Sequence, residues 1–223
     1  MANPLPAQEA IAHQRIGLFG GSFDPPHLGH LALVEAGLRC GLDAVWVIPA
    51  QPVHRQLSGA ATDAQRWAWL KQLFGHHPQV QLLDWELRQE KPTPAIVTLR
   101  RCHTDYPTTT FWFMLGQDAW QQISSWIDYP AHAELCNMAI FRRSDCSDDC
   151  VIDEHWQSSA PAALSELRGH GYCCQIDVAL PAISATQVRR AAAAGESLAE
   201  FVGADLCHAI RACYSKQATQ QPI

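Results

Sequence analysis

No stretch of this 223-residue chain is apolar for more than five residues; the longest runs are Ala44–Ile48 and Phe111–Leu115. A bilayer-spanning helix needs about 20 such residues, so none is expected, and no membrane partner with it. Charge is scarce as well. Asp, Glu, Lys and Arg make up 17% of the chain, and 16 cations against 22 anions leave a net charge of −6. Basic residues never cluster beyond a pair, so the broad cationic face that a long nucleic acid requires is missing. A small anion stays open as a ligand, because helix amino ends and a few local cations hold phosphate whatever the total charge. The opening MANPLPAQEAIAHQ has neither a basic start nor an apolar stretch, so a secretory leader is not expected and the chain reads as cytoplasmic. Internal repeats and low-complexity linkers are absent too, and nothing marks an oligomeric interface.

What is present is a globular composition, 48% hydrophobic, in a chain long enough to bury a core without staples. Nine cysteines, an odd number scattered along the chain, argue for thiols rather than a disulfide framework. Cys146, Cys150 and His155 superficially suggest a metal site, but their spacing fits no zinc signature and a fourth ligand is not obvious. No protein-held metal is expected.

Short apolar blocks alternate with helical stretches. Strands are expected at Arg15–Phe19, Ala44–Ile48, Val80–Leu83, Thr110–Leu115, Met138–Phe141 and Gln175–Val178. Helices are expected at Leu28–Cys40, Thr62–Phe74, from Thr93 to about His103, and at Ser184–Ala194 and Ala204–Tyr214. Thr93-Pro94 has the form of a hydroxyl N-cap followed by proline at the first helical position. Strands without polar alternation are buried on both faces, which predicts a doubly wound, Rossmann-like α/β fold: a parallel sheet with helices on both faces and a small helical carboxyl-terminal part. One domain over residues 15–215 is expected, with residues 1–14 and 216–223 as flexible extensions. Residues 143–172, rich in Asp, Ser and Ala, read as the loosest connection.

The most informative segment is Gly20-Gly21-Ser22-Phe23-Asp24-Pro25-Pro26-His27-Leu28-Gly29-His30. It follows the first strand and opens the first helix, the place where ligands bind an open α/β sheet. Two glycines permit a tight turn and close approach of backbone N–H groups to an anion. His27 and His30 are three residues apart, so at helical pitch they share one face, beside the positive end of the helix dipole. Gly29 between them clears the floor. Together these features make a receptacle for phosphate oxygens. The segment is neither a Rossmann dinucleotide fingerprint nor a P-loop, whose spacings are absent.

The same residues resemble the G-x-F-D-P-x-H-x-G-H signature of the nucleotidyltransferases related to class I aminoacyl-tRNA synthetases, whose H-x-G-H histidines contact a nucleoside triphosphate and stabilise charge as its α-phosphate is attacked. Ile183-Ser184-Ala185-Thr186-Gln187-Val188-Arg189 is similar to the I-S-x-T-x-x-R motif of that superfamily, which grips the β- and γ-phosphates. Four further stretches resemble the bacterial nicotinate-nucleotide adenylyltransferases. They are Pro49 through Pro52-Val53-His54-Arg55; Asp84-Trp85-Glu86 with Pro92 and Thr98-Leu99; Leu115-Gly116-Gln117-Asp118 with Trp126; and Arg142-Arg143. The matches run in order over most of residues 15–214.

The resemblance implies the transfer of the adenylyl group of ATP to nicotinate mononucleotide, giving deamido-NAD and pyrophosphate by direct in-line attack. It assigns catalysis to His27, His30 and Arg189. ATP contacts fall to Gly20, Gly21, Ser22, Phe23, His30, Gly116, Asp118, Ile183, Ser184, Thr186 and Arg189. The mononucleotide falls to His54, Arg55, Ala95, Trp126 and Arg142, with Trp126 stacking on the pyridine ring. Mg²⁺ is the implied cofactor, held mainly by substrate phosphates and water. Where the family carries an aromatic and a hydroxyl residue at the entry to the third helix, this chain has Pro94 and Ala95, which leaves nicotinamide mononucleotide open as the acceptor. Two other readings stand beside this one: a transferase for another small phosphate acceptor such as phosphopantetheine, whose family commonly has Thr in place of His27, and a non-catalytic nucleotide sensor.

Overall fold

The computed structural model describes residues 7, 14–51, 61–143 and 151–215. Among these residues seven strands form one sheet: β1 (Arg15–Gly21), β2 (Ala44–Pro49), β3 (Val80–Leu82), β4 (Thr110–Gly116), β5 (Asn137–Arg143), β6 (Gln157–Ser159) and β7 (Tyr172–Val178). Their order is β3-β2-β1-β4-β5-β7-β6, and every pairing is parallel. The chain winds outward from β1 in one direction and then returns to start the other half at β4. The crevice at the carboxyl ends of β1 and β4 is therefore the topological switch point of the sheet.

Alternate residues of each strand feed opposite faces. Ile16, Leu18, Phe111, Phe113, Leu115, Met138 and Ile140 pack on one side, with Leu99 and Cys102 of α3 (Ala95–Asp105). Phe19, Val45, Val47, Trp112, Met114, Ala139 and Phe141 pack on the other, with Leu33, Val34 and Ala36 of α1 (Leu28–Arg39) and Leu70 and Phe74 of α2 (Asp63–Phe74). Both faces are dry, which is why the strands read as unbroken apolar blocks. α1 lies close to the sheet where Gly17 and Gly37 both face Met114; a Cβ added at either would come within 2.4 or 2.5 Å of its side chain.

A third cluster joins α2 to the carboxyl-terminal helices α6 (Ala185–Ala194), α7 (Ala199–Val202) and α8 (Ala204–Tyr214) through Trp69, Val188, Leu206, Ile210 and Tyr214. Among the described residues no helix is long and apolar enough to cross a membrane, and no disulfide forms.

The structure departs from the sequence reading in several places, among them the short helices at Gln117–Trp120 and Ala199–Val202, where none was expected. β7 begins at Tyr172, three residues before the expected start at Gln175. Within 143–172 lie β6 and the short α5 (Ala163–Glu166); β6, Gln-Ser-Ser, is an edge strand with one covered neighbour and so carries no apolar signal. Pro94 stands outside α3 rather than at its first position. Its ψ of 145° is extended, making Pro94 itself the N-cap, and no side chain caps that helix.

Candidate active site

Two cavities meet at the switch point and share Phe19 and Gly116. The larger, about 350 Å³, is lined by His27, Gly29 and His30 from the start of α1, by Gly116, Gln117 and Asp118, and by Ile183, Ser184 and Ala185 at the start of α6. Here the amino ends of α1 and α6 face one space, with the short α4 (Gln117–Trp120, N-cap Gly116) beside them. Unpaired first-turn amides and aligned dipoles make such a convergence a site for polyanions. The smaller cavity, about 250 Å³, is lined by Gly20, Gly21, Ile48, Ala50, Phe113, Leu115, Ala119 and Trp126, with Glu86, Thr93, Ala95 and Thr98. Its walls are mostly apolar and aromatic, as suits a flat ring.

The histidines share a face as the spacing requires, and more closely than expected. Their rings stack with centroids 3.7 Å apart and planes 22° from parallel. His27 is the N-cap of α1, and its backbone N–H donates to His30 Nδ1 at 3.1 Å. A ring nitrogen that accepts is unprotonated, so the proton of neutral His30 sits on Nε2. Phe23 supports the His30 ring edge-on at 4.9 Å, and Phe19 in turn meets Phe23 at 5.3 Å. His27 is 6% exposed, and its Nδ1 has no hydrogen-bond partner among the described residues. Burial lowers the His27 pKa to about 4; burial, and then the neighbouring His27, lower that of His30 well below the usual value. Burial thus favours the neutral form of both imidazoles. The floor cleared by Gly29 is partly taken by the His27 ring, 3.0 Å from where a Cβ would stand.

Arg189, on α6, lines neither cavity. Its guanidinium donates to the carbonyl of Asp24 at 2.6 Å and to Thr186 Oγ1 at 3.1 Å, so Arg189, held by Thr186 within α6, fastens the histidine loop to that helix. Ser184 caps α6, accepting from the Gln187 N–H at 3.2 Å. The Asp24 side chain is buried; it accepts from the Ala61 N–H at 3.1 Å and from the Tyr214 hydroxyl of α8. Burial, with the Asp24 carboxylate adding to it, pushes the Tyr214 pKa up, so this hydroxyl remains a donor.

The sequence-derived residues divide accordingly. His27, His30, Gly116, Asp118, Ile183 and Ser184 surround the larger cavity, and Ala95 and Trp126 the smaller. Gly20 and Gly21, expected at ATP, line the smaller cavity. Ser22 and Phe23 line neither: the Ser22 carbonyl is held by Arg66, and Phe23 braces His30. Arg142, expected at the mononucleotide, does not reach either cavity. Its parallel partner across β5 and β7 is Asp177, whose carboxylate takes the guanidinium at 2.7–2.8 Å. His54 and Arg55 lie outside the described residues, as do Cys146 and Cys150; no group of three or more His, Cys, Asp or Glu among the described residues could hold a metal.

Three participants were given no site role from the sequence, although Glu86 and Thr98 fall in a stretch that resembles the adenylyltransferases. Glu86 and Thr98 line the ring cavity, and buried Arg66 clamps the carbonyls of Ser22 and Ala50, the latter at 2.9 Å. Arg66 carried a signal, since it shares the buried stripe of α2 with Trp69, Leu70 and Phe74.

Residues 18–191 match the cytidylyltransferase-like family. The chain belongs to this family of nucleotidyltransferases. The probable nicotinate-nucleotide adenylyltransferase of Gloeobacter violaceus is 32% identical over 186 residues, covering 82% of this chain and 86% of that protein. Its counterpart in Campylobacter jejuni is 35% identical over 132 residues, covering 59% of this chain and 73% of that protein. In three dimensions the fold matches that of the Plasmodium falciparum nicotinic acid mononucleotide adenylyltransferase complexed with NaAD. The TM-score is 0.63 at 17% identity, over 93% of this chain and 97% of that one. This cytidylyltransferase-like chain therefore carries the stacked histidines and the α6 amino end within the span that the family shares.

Proposed function

We propose that the protein transfers the adenylyl group of ATP to nicotinate mononucleotide, releasing pyrophosphate and forming deamido-NAD. The observation that carries this reading is the pair of joined cavities. A polyanion site built from two imidazoles and two helix amino ends opens, past Gly116 and Phe19, into an aromatic pocket. The names of the similar bacterial proteins supply the acceptor.

The mononucleotide phosphate is already a competent nucleophile at neutral pH, so no side chain has to remove a proton. One of its oxygens bonds to the α-phosphorus as the bond to the bridging oxygen breaks, and the electron pair leaves with pyrophosphate. The protein aligns two polyanions and absorbs their charge. Orientation of this kind lowers a barrier by about 7–11 kcal/mol, and one well-placed donor adds about 3–4 kcal/mol. His30 Nε2–H and His27 are assigned to the α-phosphate and bridging oxygens, and the amino end of α6 to the β- and γ-phosphates. Arg189 has five N–H donors, of which Asp24 and Thr186 engage two groups; it is assigned to the departing pyrophosphate. Trp126 and the amino end of α3 at Ala95 are assigned to the pyridine ring and its carboxylate.

Mg²⁺ is proposed to arrive on the triphosphate and to neutralise phosphate charge. The donor set fits a phosphate-borne ion, since Asp118 is the carboxylate lining that cavity and is the residue that would face it. The setting proposed is cytoplasmic. The test is pyrophosphate release from ATP by the purified protein with each candidate acceptor. Turnover with nicotinate mononucleotide supports the reading; turnover with phosphopantetheine alone, or with no acceptor, overturns it.

A further inference from the structure

Among the described residues Glu86 is the one carboxyl group lining the ring cavity, and the proposed reaction does not use it. It is 7% exposed, and its Oε1 accepts a hydrogen bond from Thr98 Oγ1 at 2.7 Å. That leaves Oε2 as the oxygen able to carry a proton. Around it the described walls are uncharged: Ile48 from β2, Phe113 and Leu115 from β4, Ala119 from α4, and Trp126. No lysine or arginine lines the cavity among the described residues. From α3 come Thr98 and, behind it, the Cys102 thiol, which burial pushes up to about 12 and so keeps neutral. A carboxylate with one hydroxyl partner and no cation is poorly stabilised in such a place.

Resting on the reading that the acceptor is nicotinate mononucleotide, we propose that Glu86 determines ring specificity: its carboxyl, anchored by Thr98, donates a proton in hydrogen bonding to the carboxylate of the pyridine ring. An O–H donor to an oxyanion is about twice as strong as a neutral pair. The uncapped amides at the start of α3 are left for the other carboxylate oxygen. Once ionised, Glu86 reverses this choice, because two carboxylates repel each other while a carboxamide offers an N–H₂ group that an ionised Glu86 accepts. One proton thus decides which pyridine nucleotide the pocket favours. Burial raises the Glu86 pKa to about 7, with Thr98 pulling in the opposite direction, which puts the reversal inside an accessible range.

The test compares kcat/KM for nicotinate mononucleotide in the wild type and Glu86→Gln across pH 6 to 8. This parameter reports titrations of the free enzyme and free substrate. Taking the ratio of the two proteins cancels the titration of the substrate phosphate. The glutamine amide remains a donor at every pH, so the ratio of wild type to variant is expected to fall about tenfold as the protonated fraction of a group titrating near 7 declines. Thr98→Val removes the bond that favours the ionised form and is expected to move the wild-type decline to higher pH. Nicotinamide mononucleotide, followed as substrate or as competitive inhibitor, is expected to gain as nicotinate loses. Equal pH profiles for wild type and Glu86→Gln, or an unmoved midpoint in Thr98→Val, overturn the assignment of Glu86 while leaving the adenylyl transfer intact. Absence of turnover with either mononucleotide overturns the functional reading first, and this inference with it.

Discussion

His30 has two ring nitrogens with two different tasks, and two substitutions separate them. Nδ1 accepts the His27 backbone N–H at 3.1 Å, and Nε2–H is the donor assigned to the phosphates. In His30→Asn the amide oxygen stands near the place of Nδ1, so the bond at the helix start survives while the outer donor is lost. In His30→Gln the amide nitrogen stands near the place of Nε2, so the donor survives and the inner bond is lost. Losing a transition-state donor costs about 2.7–4 kcal/mol, or 10²–10³ in kcat. Losing an N-terminal capping bond costs about 1 kcal/mol, which for a protein of this size lowers Tm by about 2–4 °C. The expected outcome is a crossed pattern. His30→Asn should melt near the wild type but release pyrophosphate two to three decades more slowly, and His30→Gln should melt lower yet turn over faster than His30→Asn. Steady-state pyrophosphate release and thermal melts on the same preparations read both quantities. A His30→Asn variant with near-normal kcat would refute the catalytic role, and a His30→Gln variant slower than His30→Asn would refute the assignment of the two nitrogens.

Other expectations follow from the same geometry. A Cβ at Gly116 would meet nothing within 4 Å, so Gly116→Ala should leave Tm unchanged while raising KM for both substrates, because the methyl occupies the passage between the cavities; a loss of stability with normal KM would contradict this. Trp126→Ala should raise KM for the mononucleotide more than for ATP, and equal effects would count against ring stacking. His27 is held neutral by burial, with a folded pKa of about 4 against an ordinary 6.5. Between these values the unfolded chain binds the additional proton, so stability present above about pH 6.5 is lost as pH falls toward 4. Tm should therefore drop across that window, and less steeply in His27→Gln; parallel curves would refute the link.

The central strands were legible in the sequence because burial on both faces leaves them no polar alternation, and the histidine segment because its glycines, proline and imidazoles have few other uses in that order. What stayed hidden has physical causes. β6 is too short and too exposed to need apolar residues. Arg142 reads as a ligand-binding cation until the register of β5 and β7 sets Asp177 beside it, a pairing no local pattern encodes. Glu86 and Thr98 become a pair only when the turn after β3 folds against α3, and Asp24 gains Tyr214 across nearly the whole chain. Pro94 was misplaced by one position because the choice between cap and first turn depends on a single ψ angle.

The bond between Tyr214 and Asp24 has a temporal side. Ribosomes build chains from the amino end, so the histidine turn emerges first and its last fastener, on α8, emerges some 190 residues later. A nascent chain halted before that helix would have its imidazoles and Asp24 but not the Tyr214 hydroxyl that donates to the Asp24 carboxylate. The histidine turn would then gain its full set of fasteners only with completion of the carboxyl-terminal helices.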